Sequence, residues 1–222
     1  MVETLSREDA RRIYDRIGSW LDSQSFYEDR AVRSLAENGS FDTAEAVFEF
    51  GCGTGRFAEI LLREQLGETA RYRAYDLSPT MVELARGRLE AFGDRVEVRV
   101  SSGQEPSSEP PESCDRFVVN YVLDLLSEEE IAAVLEQAWR MLRPGGLLCL
   151  ASICPGQGMI SRSFMGLWSF VHRRSPRVVA GCRPIDLGSY LTPKSWTLLY
   201  DQTFVPFGIA SEVVIAERRA SV

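Results

Sequence analysis

The stretch Glu49-Phe50-Gly51-Cys52-Gly53-Thr54-Gly55 joins a short apolar run to a segment whose apolar residues recur at helical spacing. This order predicts a buried strand over residues 46–50, then a glycine-rich turn, then a helix. Glycine carries no Cβ, so a ligand can approach the backbone of such a turn closely, and turns of this kind bind nucleotide-like cofactors. The dinucleotide fingerprint Gly-x-Gly-x-x-Gly is not met, because its third position falls on Arg56 and the third glycine comes one residue early.

Strands and helices alternate on the carboxyl side of this turn. Ser78-Pro79 is typical of a helix start, and Ser127 followed by Glu130 is a capping box. Alternation at this spacing predicts an α/β fold with a Rossmann-like, doubly wound sheet that is mostly parallel. The short Pro206-Phe207-Gly208 connection predicts an antiparallel C-terminal hairpin. The predicted strands after the first are residues 72–76, 96–100, 116–122, 147–151, 198–205 and 213–216.

We expect a single domain over residues 1–222, because no boundary divides the chain. N-terminal helices are predicted over residues 6–21 and 27–35, a further helix over 160–171, and a last helix from Thr192-Pro193. The predicted parts are an N-terminal helical lid (1–45), a cofactor-binding core (46–155), a substrate-side insert (156–195) and a terminal hairpin (196–222).

The composition is that of an ordinary globular protein, and it argues against several classes of function. The 222 residues are 45% hydrophobic and 26% charged, which disfavours disorder, collagen and coiled coils. A formal net charge of -7 argues against binding to a nucleic-acid backbone. The five scattered cysteines contain no C-x-x-C pair, so neither a metal site nor a disulfide framework is predicted. The N-terminal residues lack the apolar core of a signal peptide, and we expect a cytoplasmic protein.

The turn and three further landmarks resemble the class I S-adenosylmethionine-dependent methyltransferases. With Glu49 in front of it, the turn has the pattern acid-x-Gly-x-Gly-x-Gly. In the order of that family, Asp76 ends the second predicted strand, Asp115 precedes the fourth, and Pro144-Gly145-Gly146 precedes the fifth. The Tyr14-Asp15 pair ahead of the turn is similar to the ubiquinone- and menaquinone-biosynthesis subgroup of small-molecule methyltransferases.

The resemblance implies a site for S-adenosyl-L-methionine, whose product is S-adenosyl-L-homocysteine. The glycines would line the methionine and ribose part of the cofactor, and Asp76 would hold the ribose hydroxyls. Leu77 and Met81 would flank the adenine, and Gln104 is the polar candidate for its amino group, where many relatives have an acid. Carried over by position, the cofactor residues are Glu49, Gly51, Cys52, Gly53, Gly55, Asp76, Leu77, Met81, Gly103, Gln104 and Asn120.

Methyl transfer from a sulfonium requires few catalytic side chains, because the methyl group is already activated. The protein mainly aligns the acceptor and excludes water. A base is needed only where the acceptor loses a proton, as a phenol, an acidic carbon or a protonated amine does. The candidates are Tyr121, Asp124 and His172. The single histidine lies next to Arg173 and Arg174, and a solvated surface position is the favoured alternative for it.

The acceptor is expected between the N-terminal helices and the insert. Tyr14, Trp20 and Tyr27 would form an aromatic lid over it, although ordinary helix packing explains these residues about as well. Trp168 and Arg173 are the candidates from the insert. We expect a small-molecule or lipid-like acceptor, no nucleic acid, and a monomer or homodimer.

The insert differs in charge from the rest of the chain. Residues 156–190 hold five arginines and one acid, a local charge of +4, while the remainder carries −11. This asymmetry suits an anionic acceptor or contact with an anionic membrane surface, and a core-packed helix with a basic exposed end is the alternative.

Two other functions stay open. A nicotinamide-dependent oxidoreductase is disfavoured by the failed dinucleotide fingerprint. A methyltransferase-like fold kept as a binding or scaffold module is disfavoured by the intact glycine turn, because a module without cofactor would tolerate side chains there. The acceptor and the attacked atom have no motif in the sequence.

Overall fold

The computed structural model describes residues 4–18, 25–101 and 109–220, and a seven-stranded sheet runs through them. β1 to β5 pair in parallel, whereas β7 runs antiparallel to both β5 and β6, so the predicted fold class is confirmed. The strands are β1 (Ala46–Phe50), β2 (Arg71–Asp76), β3 (Val96–Val100), β4 (Cys114–Asn120), β5 (Leu142–Ile153), β6 (Trp196–Phe204) and β7 (Ser211–Arg218). Their order across the sheet is β3-β2-β1-β4-β5-β7-β6.

Six α-helices accompany the sheet in the described residues, and several begin at side-chain caps. Ser78 Oγ accepts a hydrogen bond from Met81 N at 3.1 Å, and Ser127 and Glu130 form the predicted capping box. Among these described helices, none has the length and apolarity to cross a bilayer. The helices are α1 (Arg7–Ile17), α2 (Ser25–Asn38), α3 (Arg56–Glu64), α4 (Pro79–Leu89), α5 (Glu128–Met141) and α6 (Gly158–Arg174).

The strand order places a crevice at the middle of the sheet. From β1 the chain moves outward to β2 and β3 on one side, then returns to β4 and β5 on the other. Connections leave in opposite directions at the carboxyl ends of β1 and β4, which is where ligands bind in doubly wound sheets. The two faces of the sheet are covered by separate apolar layers, one including Leu61 and Tyr72 and the other Phe48, Phe117 and Ile131.

Three differences between the predicted and the observed elements have a clear physical reason. No helix begins at Thr192-Pro193: these residues open a turn that leads straight into β6, because Trp196 already pairs with Arg218 of β7 and the sheet overrides the local helix signal. The first helix ends at Ile17 instead of residue 21, since Gly18 follows it with φ 51°. β5 begins at Leu142, before the glycines, because Leu142 pairs with Cys114 ahead of a register shift.

Candidate functional site

A cavity of about 540 Å³ opens at the predicted crevice, within the size range of small-molecule sites. The glycine turn and the end of β2 form one side, which we call the cofactor side. Residues from α1, the segment 121–126, α5 and Cys182 form the other, which we call the acceptor side; Asn120, at the end of β4, is counted with the cofactor side. The predicted site residues that line the cavity are Tyr14, Glu49, Gly51, Cys52, Gly53, Asp76, Leu77, Met81, Asn120, Tyr121 and Asp124.

The glycine turn lies close to its neighbours. Gly51, Gly53 and Gly55 all have positive φ, at 80°, 51° and 76°, a region that side chains disfavour. A Cβ at Gly51 would collide with Val122. Gly55 does not line the cavity; a Cβ there would crowd Ala85 of α4, so this glycine serves the packing of two helices.

Asp76 joins the turn to the end of β2. Its carboxylate accepts hydrogen bonds from the backbone N–H of Gly53 at 2.8 Å and of Ser78 at 2.9 Å. Burial raises its pKa from the usual value, and these bonds work in the opposite direction. Ser78 also donates its hydroxyl to Asp15 at 2.6 Å, which ties α1 to this side of the cavity. The aspartate is thus held where a ligand over the turn would meet it.

Glu49 lies beneath the turn and is 1% exposed. Tyr72 donates its hydroxyl to one carboxylate oxygen at 2.9 Å. Burial raises the pKa of Glu49 to about 8, so this carboxyl is mostly protonated at neutral pH. Burial likewise raises the pKa of the neighbouring Cys52 thiol well above its usual value, and the thiol stays neutral.

Asn120, at the end of β4, has a side-chain oxygen without a hydrogen-bond partner. This Oδ1 is buried, and within the described part of the chain nothing donates to it. An unsatisfied buried acceptor costs free energy unless a ligand supplies a donor. Since Asn120 lines the cavity, a ligand with an N–H or O–H group suits this position. The glycine cradle and this oxygen together fit a cofactor of the predicted kind.

Asp124 is the unusual group on the acceptor side. It is 0% exposed, and neither of its oxygens has a well-formed hydrogen bond to a described residue. Burial raises its pKa to about 6, and the adjacent Ser152 and Cys182 side chains and the Arg183 charge oppose the rise. Arg183 N–H donates to the Asp124 backbone carbonyl at 3.0 Å, which fixes the short helical turn that carries the aspartate.

Two tyrosines stand near Asp124. Tyr14 of α1 lies against Cys182, and Asp124 is close enough to contribute to raising the tyrosine's pKa, which burial raises most. Tyr121 has an unusual positive φ of 54°, and its hydroxyl lies 2.8 Å from Ser211 Oγ. Burial raises the pKa of Tyr121 well above its usual value, so it is a poor base. Of the three predicted bases, Asp124 has the best combination of position and basicity.

The structure keeps the predicted residues of α6 out of the cavity wall. His172 is 1% exposed, so the prediction of a solvated surface position is wrong: α6 packs the ring against Gly181, and burial lowers its pKa. Trp168 donates its ring N–H to the Cys182 carbonyl at 2.9 Å and supports the wall from behind. Arg173 is exposed. Trp20, the Tyr27 side chain, Gly103 and Gln104 lie outside the described residues.

Sequence reasoning missed several lining residues. Cys182 is one of them, and nothing in its local sequence reveals that it borders the cavity. Six lining residues carry carboxyl groups and two carry guanidinium groups, and the carboxyl groups still outnumber the guanidinium groups when the mostly protonated Glu49 is left out, so the cavity favours a cationic ligand. The carboxyl groups belong to Glu28, Glu49, Asp76, Asp124, Glu129 and Glu130, and the guanidinium groups to Arg7 and Arg56.

Known proteins share both the motif region and the fold. A family profile described as a methyltransferase domain matches residues 47–146. A carboxy-S-adenosyl-L-methionine synthase of Photorhabdus laumondii is 28% identical over 51% of this chain and 45% of that protein. The tRNA N(3)-methylcytidine methyltransferase Mettl2 of Drosophila melanogaster is 28% identical over 63% of this chain and 46% of that protein. The matches thus span less than half of these relatives' lengths.

Among solved structures, the cyclase SpnF has a similar fold, with a TM-score of 0.75, 15% identity and 99% of both chains covered. The narrower likeness to the ubiquinone and menaquinone subgroup stays a prediction. The intact motif, the seven-stranded sheet and the matched profile agree with one another. Residues 47–146 match the methyltransferase-domain profile, and the motif, the sheet and these relatives together support a class I S-adenosylmethionine-dependent methyltransferase domain in this part of the chain.

Proposed function

We propose that this chain transfers the methyl group of S-adenosylmethionine to a small or lipid-like acceptor that loses a proton, and that Asp124 accepts the proton. The observation that carries this proposal is the placement of Asp124, fully buried and without a well-formed hydrogen bond in the described part of the chain, in the lining of the cavity that the glycine turn also borders. A pKa of about 6 keeps the carboxylate ionised at neutral pH while making it a stronger base than an exposed aspartate.

The cofactor side has groups suited to each part of the donor. When bound, the cofactor supplies a methyl group activated by a sulfonium. The bare backbone of Gly51 and Gly53 admits it, the Asp76 carboxylate is available to its ribose hydroxyls, and Asn120 Oδ1 lacks a donor that its ammonium group could provide. The acidic lining stabilises both positive charges of the cofactor.

The same acidic lining favours a neutral or cationic acceptor over an anionic one. The insert arginines proposed for an anionic acceptor do not line the cavity. The apolar part of the acceptor side, including Leu125, Leu126 and Ile153, suits a ring or an acyl chain. A phenol or an amine with an apolar body therefore fits best, and Tyr14 and Cys182 would close over it and exclude water.

Other candidate functions have weaker support. A binding or scaffold module would not need a buried carboxylate without a well-formed hydrogen bond, and we keep it as the alternative. A nicotinamide-dependent oxidoreductase is the remote alternative: Tyr190 and Lys194 have the Tyr-x-x-x-Lys spacing of some such enzymes, yet neither lines the cavity. Mettl2 is named for tRNA, but a net charge of -7 leads us to propose no nucleic-acid acceptor. A monomer or homodimer and a cytoplasmic location remain part of the proposal.

The first experiment tests the cofactor and the class together. Purified, cofactor-stripped protein is titrated in a calorimeter with S-adenosylhomocysteine and, separately, with NADH. We expect micromolar affinity for the first and no heat of binding for the second. Binding of NADH alone would reverse the assignment, and binding of neither would favour the scaffold alternative.

The second experiment tests Asp124. Small phenols, quinone precursors and amines are screened with S-adenosylmethionine, and formation of S-adenosylhomocysteine is followed against pH. For an acceptor that loses a proton, wild-type kcat/KM should rise through about pH 6. In Asp124→Asn the rise of kcat/KM with pH should disappear. Its kcat/KM should also fall at least about 100-fold, as expected when a general base is removed. Asp42→Asn, an exposed acid outside the cavity, is the matched control. An unchanged Asp124→Asn profile would remove the aspartate from the reaction.

A further inference from the structure

The outer face of α6 is apolar and exposed. Met159, Ile160, Leu167 and Phe170 are between 59% and 88% exposed. They lie away from the buried face of the helix, which carries Ser161, Met165 and His172. Two short turns extend this surface with the exposed side chains of Val178, which follows α6, and Phe207. The turn of Phe207 is bonded to α6, because Ser161 Oγ donates a hydrogen bond to the Gly208 carbonyl. Large apolar side chains gathered this way mark an interaction surface.

The same helix carries positive charge that the described residues leave unpaired. Arg162, Arg173 and Arg174 are exposed, and none has an ion pair with a described acidic residue. Residues 155–185 contain no Asp or Glu, although the chain as a whole is acidic. These three arginines also lie outside the cavity lining, so acceptor binding does not explain them. We call the apolar residues and these arginines the α6 surface.

The α6 surface lies behind the acceptor side of the cavity. On its inner face Met165 packs in one cluster with Ile153 and Cys154, and Tyr121 and Cys182 pack against that cluster. Ile153, Tyr121 and Cys182 line the cavity. The inner face of α6 thus packs in a cluster that also contributes to the lining of the place where the acceptor would lie.

We propose that the α6 surface docks on a bilayer that contains anionic phospholipids. An interfacial helix needs an apolar face that enters the headgroup region and basic residues that meet the anionic lipid, and α6 has both while it lacks acids. A protein partner would equally need apolar contacts, but the uniform positive charge beside them complements a phosphate-rich plane best. This proposal does not depend on the identity of the acceptor.

The test is co-sedimentation of the full chain with vesicles. Vesicles of phosphatidylcholine alone are compared with vesicles in which a third of the lipid is phosphatidylglycerol, at low and high salt. We expect binding to the second kind, weakened by salt. Leu167→Ser/Phe170→Ser should weaken it at least about tenfold. Arg162→Ala/Arg174→Ala should weaken it roughly 30-fold, since each basic residue near an anionic surface contributes about fivefold.

Matched variants on other surfaces keep the test specific. Leu198→Ser/Leu199→Ser removes two similarly exposed leucines from the edge strand β6, and Arg30→Ala/Lys194→Ala removes two exposed cations elsewhere. Both should bind vesicles like the wild type. All variants should keep the wild-type affinity for S-adenosylhomocysteine, which separates a failure of this proposal from a failure of the proposed function.

Three outcomes would overturn the proposal: no binding of the wild type to anionic vesicles, equal losses in the matched variants, or a dimer that Leu167→Ser/Phe170→Ser dissociates while vesicles stay unbound. The last result would assign the α6 surface to a second copy of this chain.

Discussion

The two sides of the cavity are built in different ways. On the cofactor side, short strand–turn–helix connections supply backbone groups and one carboxylate, Asp76, which lies 23 residues after Gly53 and is bonded to it. The acceptor side is built from segments that are far apart in the chain: α1, the turn that carries Asp124, and Cys182. Here side chains supply the groups that face the cavity. Local chain geometry determines the first side and tertiary packing determines the second. Changes on the two sides should therefore affect different properties.

The largest effect is expected on the cofactor side, at Gly53. Its φ is 51°, and its N–H donates to Asp76. Gly53→Val adds a side chain in the cradle, so we expect the affinity for S-adenosylhomocysteine to fall at least about 100-fold, or roughly 2.7 kcal/mol, in a calorimetric titration. Gly67→Val is the control, because a Cβ there meets no atom within 4 Å. Normal affinity of Gly53→Val would show that the turn is not the site.

On the acceptor side, the expected effect is a pH-dependent stability. The pKa of Asp124 rises from 3.8 unfolded to about 6 folded, so the folded state holds the proton longer. The free energy of unfolding should therefore decrease as the pH increases from about 4 to above 6. The decrease is about 3 kcal/mol, because the pKa of Asp124 differs by roughly two units between the folded and unfolded states. Asp124→Asn removes this loss.

The melting temperature of Asp124→Asn should match the wild type near pH 4 and exceed it at neutral pH, by up to about 10 °C. Glu49, whose raised pKa acts in the same direction, remains in both proteins and cancels in the difference. A constant difference between the two melting curves across this pH range would contradict the burial of an ionised Asp124.

The smallest effect is expected for Asp76→Ala. Loss of a charged acceptor for hydroxyl groups should weaken S-adenosylhomocysteine binding by roughly 1–3 kcal/mol, measured by the same titration. Gly53 and Ser78 donate their backbone N–H groups to different oxygens of Asp76, so Asp76→Asn keeps an acceptor for one of them and should lose less affinity than Asp76→Ala. Equal affinity of the wild type and Asp76→Ala would show that the Asp76 carboxylate does not contribute to binding. Cofactor recognition on this side would then be assigned to backbone groups alone.

The sequence predicts the cofactor side of the cavity better than the acceptor side. The alternation of strands and helices, the glycine turn and the position of Asp76 at the end of β2 could be predicted, because strand, turn and cap signals act over a few residues. Asp124 was one of the three predicted bases, and the structure places it in the cavity lining, while its role stays a prediction. Cys182 was not predicted there, since only the packing of α6 and the Trp168 bond bring it to the cavity. His172 shows the limit most clearly: a basic sequence neighbourhood indicated solvent, and tertiary packing buried the ring.

No residue of α1 is fully buried, and Ala10 and the half-buried Tyr14 form part of the cavity lining. Polar contacts hold this helix: Asp15 with Ser78, and the ion pairs of Arg7 with Glu130 at 3.1 Å and Arg177 with Asp9 at 3.2 Å. Exposed pairs of this kind contribute about 0–1 kcal/mol each, so the helix can lift at little cost. We propose that α1 acts as the predicted lid, so that the dissociation rate of S-adenosylhomocysteine increases with ionic strength while the chemical step does not.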